Sequence, residues 1–580
     1  MKKNIHKNGI SIAPSLPYLV QKDNILPRAR FLKIRLLQIS LLSIGVAILI
    51  SLIAKVLVLL INLVTNISFY GSFDLAFHSP AENNLGLFVI ILPAIGGILV
   101  GLMALFGSKA IRGHGIPEAM EQILTNHSKI KPAIAFLKPI SSAIAIGSGG
   151  PFGAEGPIIA TGGALGSTIG QFFKITSNER KIILAAGATA GMSAIFGTPI
   201  AAIFLAIELL LFEFSPKAIL PVALACITGA AGHQFLFESG PVFPMHDLES
   251  PTNFALAIYS VIGIIIGFIS LGLTKIVYWI EDTFEKLPIH WVWWPAIGGL
   301  TVGLIGYFFP NTLGVGYNNI INILSGKIPL ALMLNLCFFK FLSWAIALGS
   351  GTSGGTLAPL LTIGGAGGAI LGALILMFFP GTGISIPMAA LVGMSSMFAG
   401  ASRAYLTSII FALESTMQSQ ALLPLLGACT ASYLISFFFM ENTIMTEKIA
   451  RRGIYTPDAY EPDILRRIVI AQVLGKGKKI AQQTPTIEEL LQRNVPILSS
   501  NDPLSKAVEL MAINGEEVLP VMSNKNSKEV IGMLSYNDIL HAYELYHKEN
   551  QEAGINLSLK RQRIKIMIKS RKLMKKQGTI

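Results

Sequence analysis

Between about Leu36 and Met440 ionisable residues are sparse, and long apolar stretches are broken by glycine and proline. Over 580 residues only 13% are charged and the mean hydropathy is +0.61, too apolar for an ordinary soluble protein. The medium such a chain folds in is a bilayer. Leu36–Val64 is long enough to cross a hydrocarbon core even when tilted, since spanning takes about 20 apolar residues, and Leu85–Phe106 is a second candidate. Farther along, the apolar runs Ile182–Phe196, Ile200–Phe212, Met388–Ala399 and Leu406–Leu413 are short. Broken helices at membrane depth are tolerated only where the freed backbone groups pack in protein or line a cavity. That is the interior of a transporter or channel, where half-helix ends meet a bound ion. The sequence therefore predicts an all-α polytopic membrane protein.

Charge gathers at the two ends. Lys2, Lys3, Lys7, Lys22, Arg28, Arg30, Lys33 and Arg35 precede the first span, and a basic run from Lys560 to Lys576 closes the chain. Positive charge flanking membrane segments marks the cytoplasmic side, so both termini are expected in the cytoplasm, and the plasma (inner) membrane is the expected location. The pI of about 9.5 has this topological origin; the basic runs carry no nucleic-acid motif, and no nucleic-acid partner is expected. The segment before the first span is too long and polar for a cleaved signal peptide. Cys226, Cys337 and Cys429 lie singly in apolar stretches and predict neither a disulfide framework nor a metal site.

An internal repeat organises the apolar region. Gly147–Pro157 aligns with Gly349–Pro359 at an offset of 202, which also matches Gly162-Gly163-Ala164 to Gly364-Gly365-Ala366 and Gly191-Met192-Ser193 to Gly393-Met394-Ser395. After a small gap, Ala206-Ile207-Glu208 meets Ala412-Leu413-Glu414. Two repeats around a midplane site is a transporter plan.

An anion at the centre of a bilayer needs stabilising charge, but a full cation would trap it. Backbone N–H groups at helix starts supply partial positive charge, about half an elementary charge per terminus. Glycine lets the backbone approach, and proline opens the helix without wasting a donor. Three segments have this design: Gly113-His114-Gly115-Ile116-Pro117, Gly153-Ala154-Glu155-Gly156-Pro157 and Gly355-Thr356-Leu357-Ala358-Pro359.

These three segments resemble the GSGIP, GREGP and GxFxP signatures of the CLC chloride channel and transporter family, and Phe196-Gly197-Thr198-Pro199 through Glu208 resembles its next conserved stretch. The resemblance covers roughly residues 36–455. It implies a CLC-type fold of two inverted repeats, a homodimer with a separate anion pathway in each subunit, and chloride and protons as partners. It assigns Glu155 as the gating carboxylate, which competes with the anion and takes up a proton when it swings out. An intramembrane carboxylate is costly and therefore usually functional; the alternative is a helix-start acid satisfied by amides. It further assigns anion contacts to Gly113, His114, Gly115, Ile116, Pro117, Gly153, Gly156, Gly355, Thr356 and Leu357.

The sequence departs from the family pattern at four functional positions. Ala154 replaces an arginine. His114 replaces a serine whose hydroxyl holds the central anion; its ring either donates an N–H to the ion or turns away and leaves backbone amides alone. Met445 falls where the family carries a tyrosine closing the inner side, with Tyr405 as the nearest other phenol. Leu209 stands where proton-coupled members carry an internal glutamate, and a leucine cannot relay protons. Glu208, with its repeat partner Glu414, reads either as part of a proton route or as a structural acid at a helix end.

The expected domains are a basic N-terminus (1–33), the transmembrane domain (34–442, with repeats of about 36–235 and 255–440), a linker or degenerate half-module (443–493), a small α/β module (494–548) and a basic tail (549–580). Strand, helix, strand, strand and helix between Asn494 and His547, with Ser535 and Asp538 at a helix start, resemble one CBS motif. Such a motif could hold an adenine nucleotide ribose at Asp538 or serve as a folded tail that stabilises a dimer. No other cofactor is expected, and no nucleophile–base set points to an enzyme. The functional readings are an anion channel or weakly coupled transporter gated by Glu155, a stoichiometric proton/chloride antiporter, and, given the altered filter, fluoride or nitrate selectivity. A CBS-regulated cation transporter would need acids within its spans.

Overall fold

The computed structural model describes residues 25–457 apart from 174, 238–239 and 327, and then 465, 468–474, 495–523 and 530–552. The extreme basic ends, most of the 443–493 linker and the 549–580 tail beyond Glu552 lie outside the described residues.

The first half is helical: α1 (Ile25–Thr65), α2 (Leu92–Phe106), α3 (Ile116–Thr125), α4 (Ile134–Gly147), α5 (Glu155–Phe172), α6 (Ser177–Phe196), α7 (Pro199–Leu205) and α8 (Pro216–Leu236). The second half repeats the order: α9 (Asn253–Glu285), α10 (Trp294–Phe308), α11 (Tyr317–Leu324), α12 (Leu330–Gly349), α13 (Leu357–Phe378), α14 (Ile386–Ser402), α15 (Tyr405–Thr416) and α16 (Leu422–Phe439). A short α17 (Glu447–Arg451) follows. Among the described residues, 8 helices are long and apolar enough to cross a membrane. Their outer faces carry exposed Leu, Val, Ile and Phe, such as Leu52, Val56, Ile227 and Phe268, which in lipid cost nothing.

The seam between α2 and α10 fixes how the halves are related. A Cβ on Gly97 would run into the Pro295 carbonyl and one on Gly101 into that of Val292; reciprocally, Gly299 faces the Pro93 carbonyl and Gly303 that of Ile90. Residue numbers rise on one helix as they fall on the other, so these equivalent helices run antiparallel. The repeats are therefore inverted with respect to one another. Within each repeat the next contact is also glycine on backbone: Gly162 against Gly187 between α5 and α6, Gly364 against Gly393 between α13 and α14. Small residues permit this close approach, which stands in for the missing hydrophobic drive between helices in lipid. Helix α6 is buried along its length from Arg180 to Phe196, which is why its hydrophobicity shows no amphipathic face.

After the membrane region, β1 (Leu498–Ser499), α18 (Leu504–Asn514), β2 (Val518–Met522), β3 (Val530–Ser535) and α19 (Tyr536–Glu552) form a small α/β module. Its sheet has order β1-β2-β3, with β1 parallel to β2 and β2 antiparallel to β3 (Val518 opposite Ser535). It has its own core around Leu504, Met511, Leu519, Val521 and Leu534.

Candidate functional site: three helix starts and a buried carboxylate

The starts of α3, α5 and α13 meet at the centre of the membrane region. The loops before them pair by backbone: the Gly113 amide donates to the Thr352 carbonyl at 3.0 Å, and the Gly355 amide donates to the Gly153 carbonyl at 3.1 Å. Glycine is required where they touch. Gly115 has φ +98°, and a Cβ there would strike the Gly156 carbonyl; a Cβ on Gly156 would strike the His114 carbonyl and come within 2.8 Å of the Gly355 Cα. The packing brings three helix starts together, an arrangement whose N–H groups suit a negative charge. Ile116, Ala154, Thr356 and Leu357 are buried around it, as are Pro117, Gly153 and Gly156.

Glu155 is fully buried. Its Oε1 accepts a hydrogen bond from the Tyr317 hydroxyl at 2.7 Å, and its Oε2 has no hydrogen-bond partner among the described residues. The carboxylate folds back over Gly153, where a side chain would overlap it, and a Cβ on Gly355 would lie 3.2 Å from Oε2. A carboxyl group thus occupies the gap between the α5 and α13 starts. His114 is 4% exposed, and its Nδ1 has no partner among the described residues.

The other side of the site opens to a cavity of about 870 Å³ that reaches Gly113, His114 and Gly115. Arg112, Lys129, Lys131 and Lys448 are among its lining residues, with Glu118, Glu121 and Glu281 as the counter-charge. Glu118 accepts from the Gly115 amide at 2.7 Å and from Lys448 Nζ at 2.9 Å, so α17 is tied to the start of α3.

Several residues flagged by the sequence stand apart. Glu208 accepts from the amides of Leu406 (2.8 Å) and Thr407 (3.0 Å) and from the Thr407 hydroxyl (2.6 Å), capping α15. Glu414 accepts from the amides of Ile200 (3.0 Å) and Ala201 (2.8 Å), capping α7. The two acids are reciprocal caps across the repeats, which is the structural alternative read from sequence. Leu209 is buried beside Glu208. Met445 is fully buried; its loop is held by the Ile444 amide on the Ala401 carbonyl (2.9 Å) and by Tyr278 on the Ile444 carbonyl (2.8 Å). Tyr405 bonds Thr430 at 2.9 Å on the exposed surface, away from the helix starts. In the α/β module, Asp538 accepts from the Ser535 amide (2.9 Å) and hydroxyl (2.8 Å), capping α19.

Sequence reasoning missed Tyr317 and two buried lysines. Lys138 donates to the carbonyls of Ile111 and Gly113, both at 2.8 Å, and Lys340 to those of Thr312 (3.1 Å) and Gly314 (2.8 Å). Each satisfies the loop that leads into a short helix, α3 or α11. The signal was present: Lys138 and Lys340 obey the 202-residue offset, and upstream of a one-residue gap Gly113-His114-Gly115 meets Gly314-Val315-Gly316.

Comparison with known proteins fits this architecture. The sequence profile of the family described as "Voltage gated chloride channel" matches residues 95–437, and that of the CBS domain matches 487–545. The chain is 30% identical over 369 residues to the chloride channel protein CLC-f of Arabidopsis thaliana, a match covering 59% of this chain and 46% of that one, so it spans under half of that relative. It is 29% identical over 387 residues to the H(+)/Cl(-) exchange transporter ClcA of Yersinia pestis, covering 63% of this chain and 80% of the relative. Its fold matches the crystal structure of a slow cyanobacterial Cl-/H+ antiporter with a TM-score of 0.63 at 22% identity, over 71% of this chain and 98% of that one. With its inverted repeats, converging helix starts and appended CBS domain, the chain belongs to the voltage gated chloride channel family.

Proposed function

We propose that the protein moves chloride or a similar small anion across the membrane through the three converging helix starts, gated by Glu155, as a channel or weakly coupled transporter. The observation that carries this reading is the position of the Glu155 carboxylate. It lies fully buried between the α5 and α13 starts, where a permeating anion would bind. Carboxylate and anion cannot share that place. Protonation removes the charge that the helix starts attract and lets the side chain leave, so flux rises as pH falls.

The basic cavity below His114 serves as the cytoplasmic vestibule. Its cations raise the local anion concentration, and partial helix charges then hold the ion without trapping it. Both termini are cytoplasmic in this reading, the membrane is the inner (plasma) membrane, and the working unit is a homodimer. The CBS module serves as a folded tail that steadies the dimer, with an adenine nucleotide at Asp538 the alternative.

A stoichiometric proton/chloride antiporter is the second reading, favoured by the names of the Yersinia relative and the cyanobacterial structure. Against it, Leu209 offers no internal proton acceptor, and Glu208 is committed to capping α15. The test is anion flux in proteoliposomes under a chloride gradient with internal pH recorded. Chloride flux without proton movement supports the channel reading; proton uptake against its own gradient supports the antiporter. In either case Glu155→Gln is expected to abolish the pH dependence of flux, and an unchanged pH response would defeat the gate. Running the assay with fluoride and nitrate ranks selectivity.

A further inference from the structure

We propose that Tyr317 is a positioning residue for the gate: its hydroxyl latches the Glu155 carboxylate inside the anion pathway, so that the latch as well as the gate sets the pH at which the pathway opens. This rests on the reading of Glu155 as the gate.

The geometry carries the argument. Tyr317 is the first residue of α11, placed there by Gly316, whose φ of +78° turns the chain into the helix. Its ring is held edge-on against Phe196 and Phe243, each with ring centroids 6.0 Å away, and Phe196 in turn stacks edge-on with Phe411 at 5.0 Å. With its ring packed in this aromatic cage, the phenol donates to Glu155 Oε1 at 2.7 Å. The other groups acting on the carboxylate are the backbone amides of Glu155 and Ala358; among the described residues no charged side chain acts on it. The nearest cation to the α11 start, Lys340, is engaged with the carbonyls of Thr312, Gly314 and Val315. Among the described residues the hydroxyl is therefore the one side-chain donor that favours the ionised, inward carboxylate. A hydrogen bond to a charged acceptor in a dry site is among the stronger ones available.

The bond has a direct consequence for gating. To leave the pathway, Glu155 must move away from the helix starts and break its bond to the phenol. Removing the hydroxyl while keeping the ring weakens the inward state but leaves the aromatic cage filled.

The test compares four proteins in proteoliposomes from pH 4.5 to 8.5: wild type, Tyr317→Phe, Glu155→Gln and the double variant. Y317F is expected to melt within a few degrees of wild type in detergent. The pH of half-maximal flux should move upward by about one unit, the size of one charge-assisted hydrogen bond, so that flux well above that pH rises about tenfold. In the Glu155→Gln background the same change should do little, because no carboxylate remains to be held. An unmoved half-activation pH in Y317F, or an equal fold-change in both backgrounds, would overturn the latch while leaving the gate standing. Retention of the wild-type pH response by Glu155→Gln would overturn the gate, and the latch with it.

Discussion

The two repeats share a scaffold and differ in chemistry where they meet the ion. In both, a left-handed glycine (Gly115 or Gly316) turns the chain into a short helix, and a buried lysine (Lys138 or Lys340) satisfies the carbonyls just before it. The next positions diverge. The first helical residue is Ile116 in one repeat and Tyr317 in the other. The long helix that follows begins with Glu155 in the first repeat and with Leu357 in the second. The inverted pairing joins Tyr317 to Glu155 across the repeats, while its counterpart, Ile116 and Leu357, contains no group able to hydrogen-bond. A near-symmetric frame thus has a polar closure at one end and an apolar surround at the other. Duplication supplies the cradle, and unequal substitution at two positions makes it directional.

The sharpest way to break this comparison is at the glycines. Gly115→Ala places a Cβ on the Gly156 carbonyl at a φ that L residues avoid, and should cut anion flux at least about 100-fold by pushing the α3 and α5 starts apart. Gly316→Ala shares the left-handed strain, at φ +78°, but meets only the side-chain ends of Asn319 and Lys340, each at 3.0 Å, and should cost about 1–2 kcal/mol with flux largely kept. Comparable losses in the two variants, measured as flux per folded protein, would remove the asymmetry.

The lysines come next. Lys138→Met and Lys340→Met each strand buried carbonyls and should lower stability by about 2–4 kcal/mol, read as a lower melting temperature in detergent. Only Lys138→Met is expected to change anion affinity as well, because the Gly113 carbonyl it holds belongs to the loop carrying His114. An affinity change in Lys340→Met of the same size would show that both act by general destabilisation.

The smallest effect is expected at His114. His114→Ser should leave folding intact and alter relative permeabilities among chloride, nitrate and fluoride by a few-fold, since its ring carries an unpartnered buried nitrogen beside the site. Unchanged permeability ratios would place the ring away from the ion.

What was legible in the sequence follows from what is local. Glycine-proline starts, the buried acid and the 202-residue repeat are written within short windows, and they led to α3, α5, α13 and Glu155. Tyr317 was not legible, because its role depends on a partner 162 positions earlier, brought near by inversion of the second repeat. Glu208 and Glu414 were seen as a repeat pair, but which helix each caps depends on the same crossing. The lysines were overlooked because a cation between apolar runs reads as an interruption until the carbonyls it serves are in place.

The arithmetic of the repeat also shows where this chain can change length. Up to Phe196 and Phe398 the halves keep step at 202, but Glu208 and Glu414 are 206 apart, a gain of 206 − 202 = 4 residues in the second half. The extra residues lie at the end of α14, which runs on to Ser402, whereas α6 stops at Phe196. Four residues are close to one turn of helix, so the added piece lengthens α14 by about 6 Å while turning its face only slightly. Arg403, at φ +57°, then ends the helix and donates to the Ser436 carbonyl at 2.9 Å. A single added residue would instead rotate everything downstream by about 100° and carry Glu414 away from the α7 start. Insertions engineered into this protein should therefore come in whole turns, and beyond the glycine seams rather than within them.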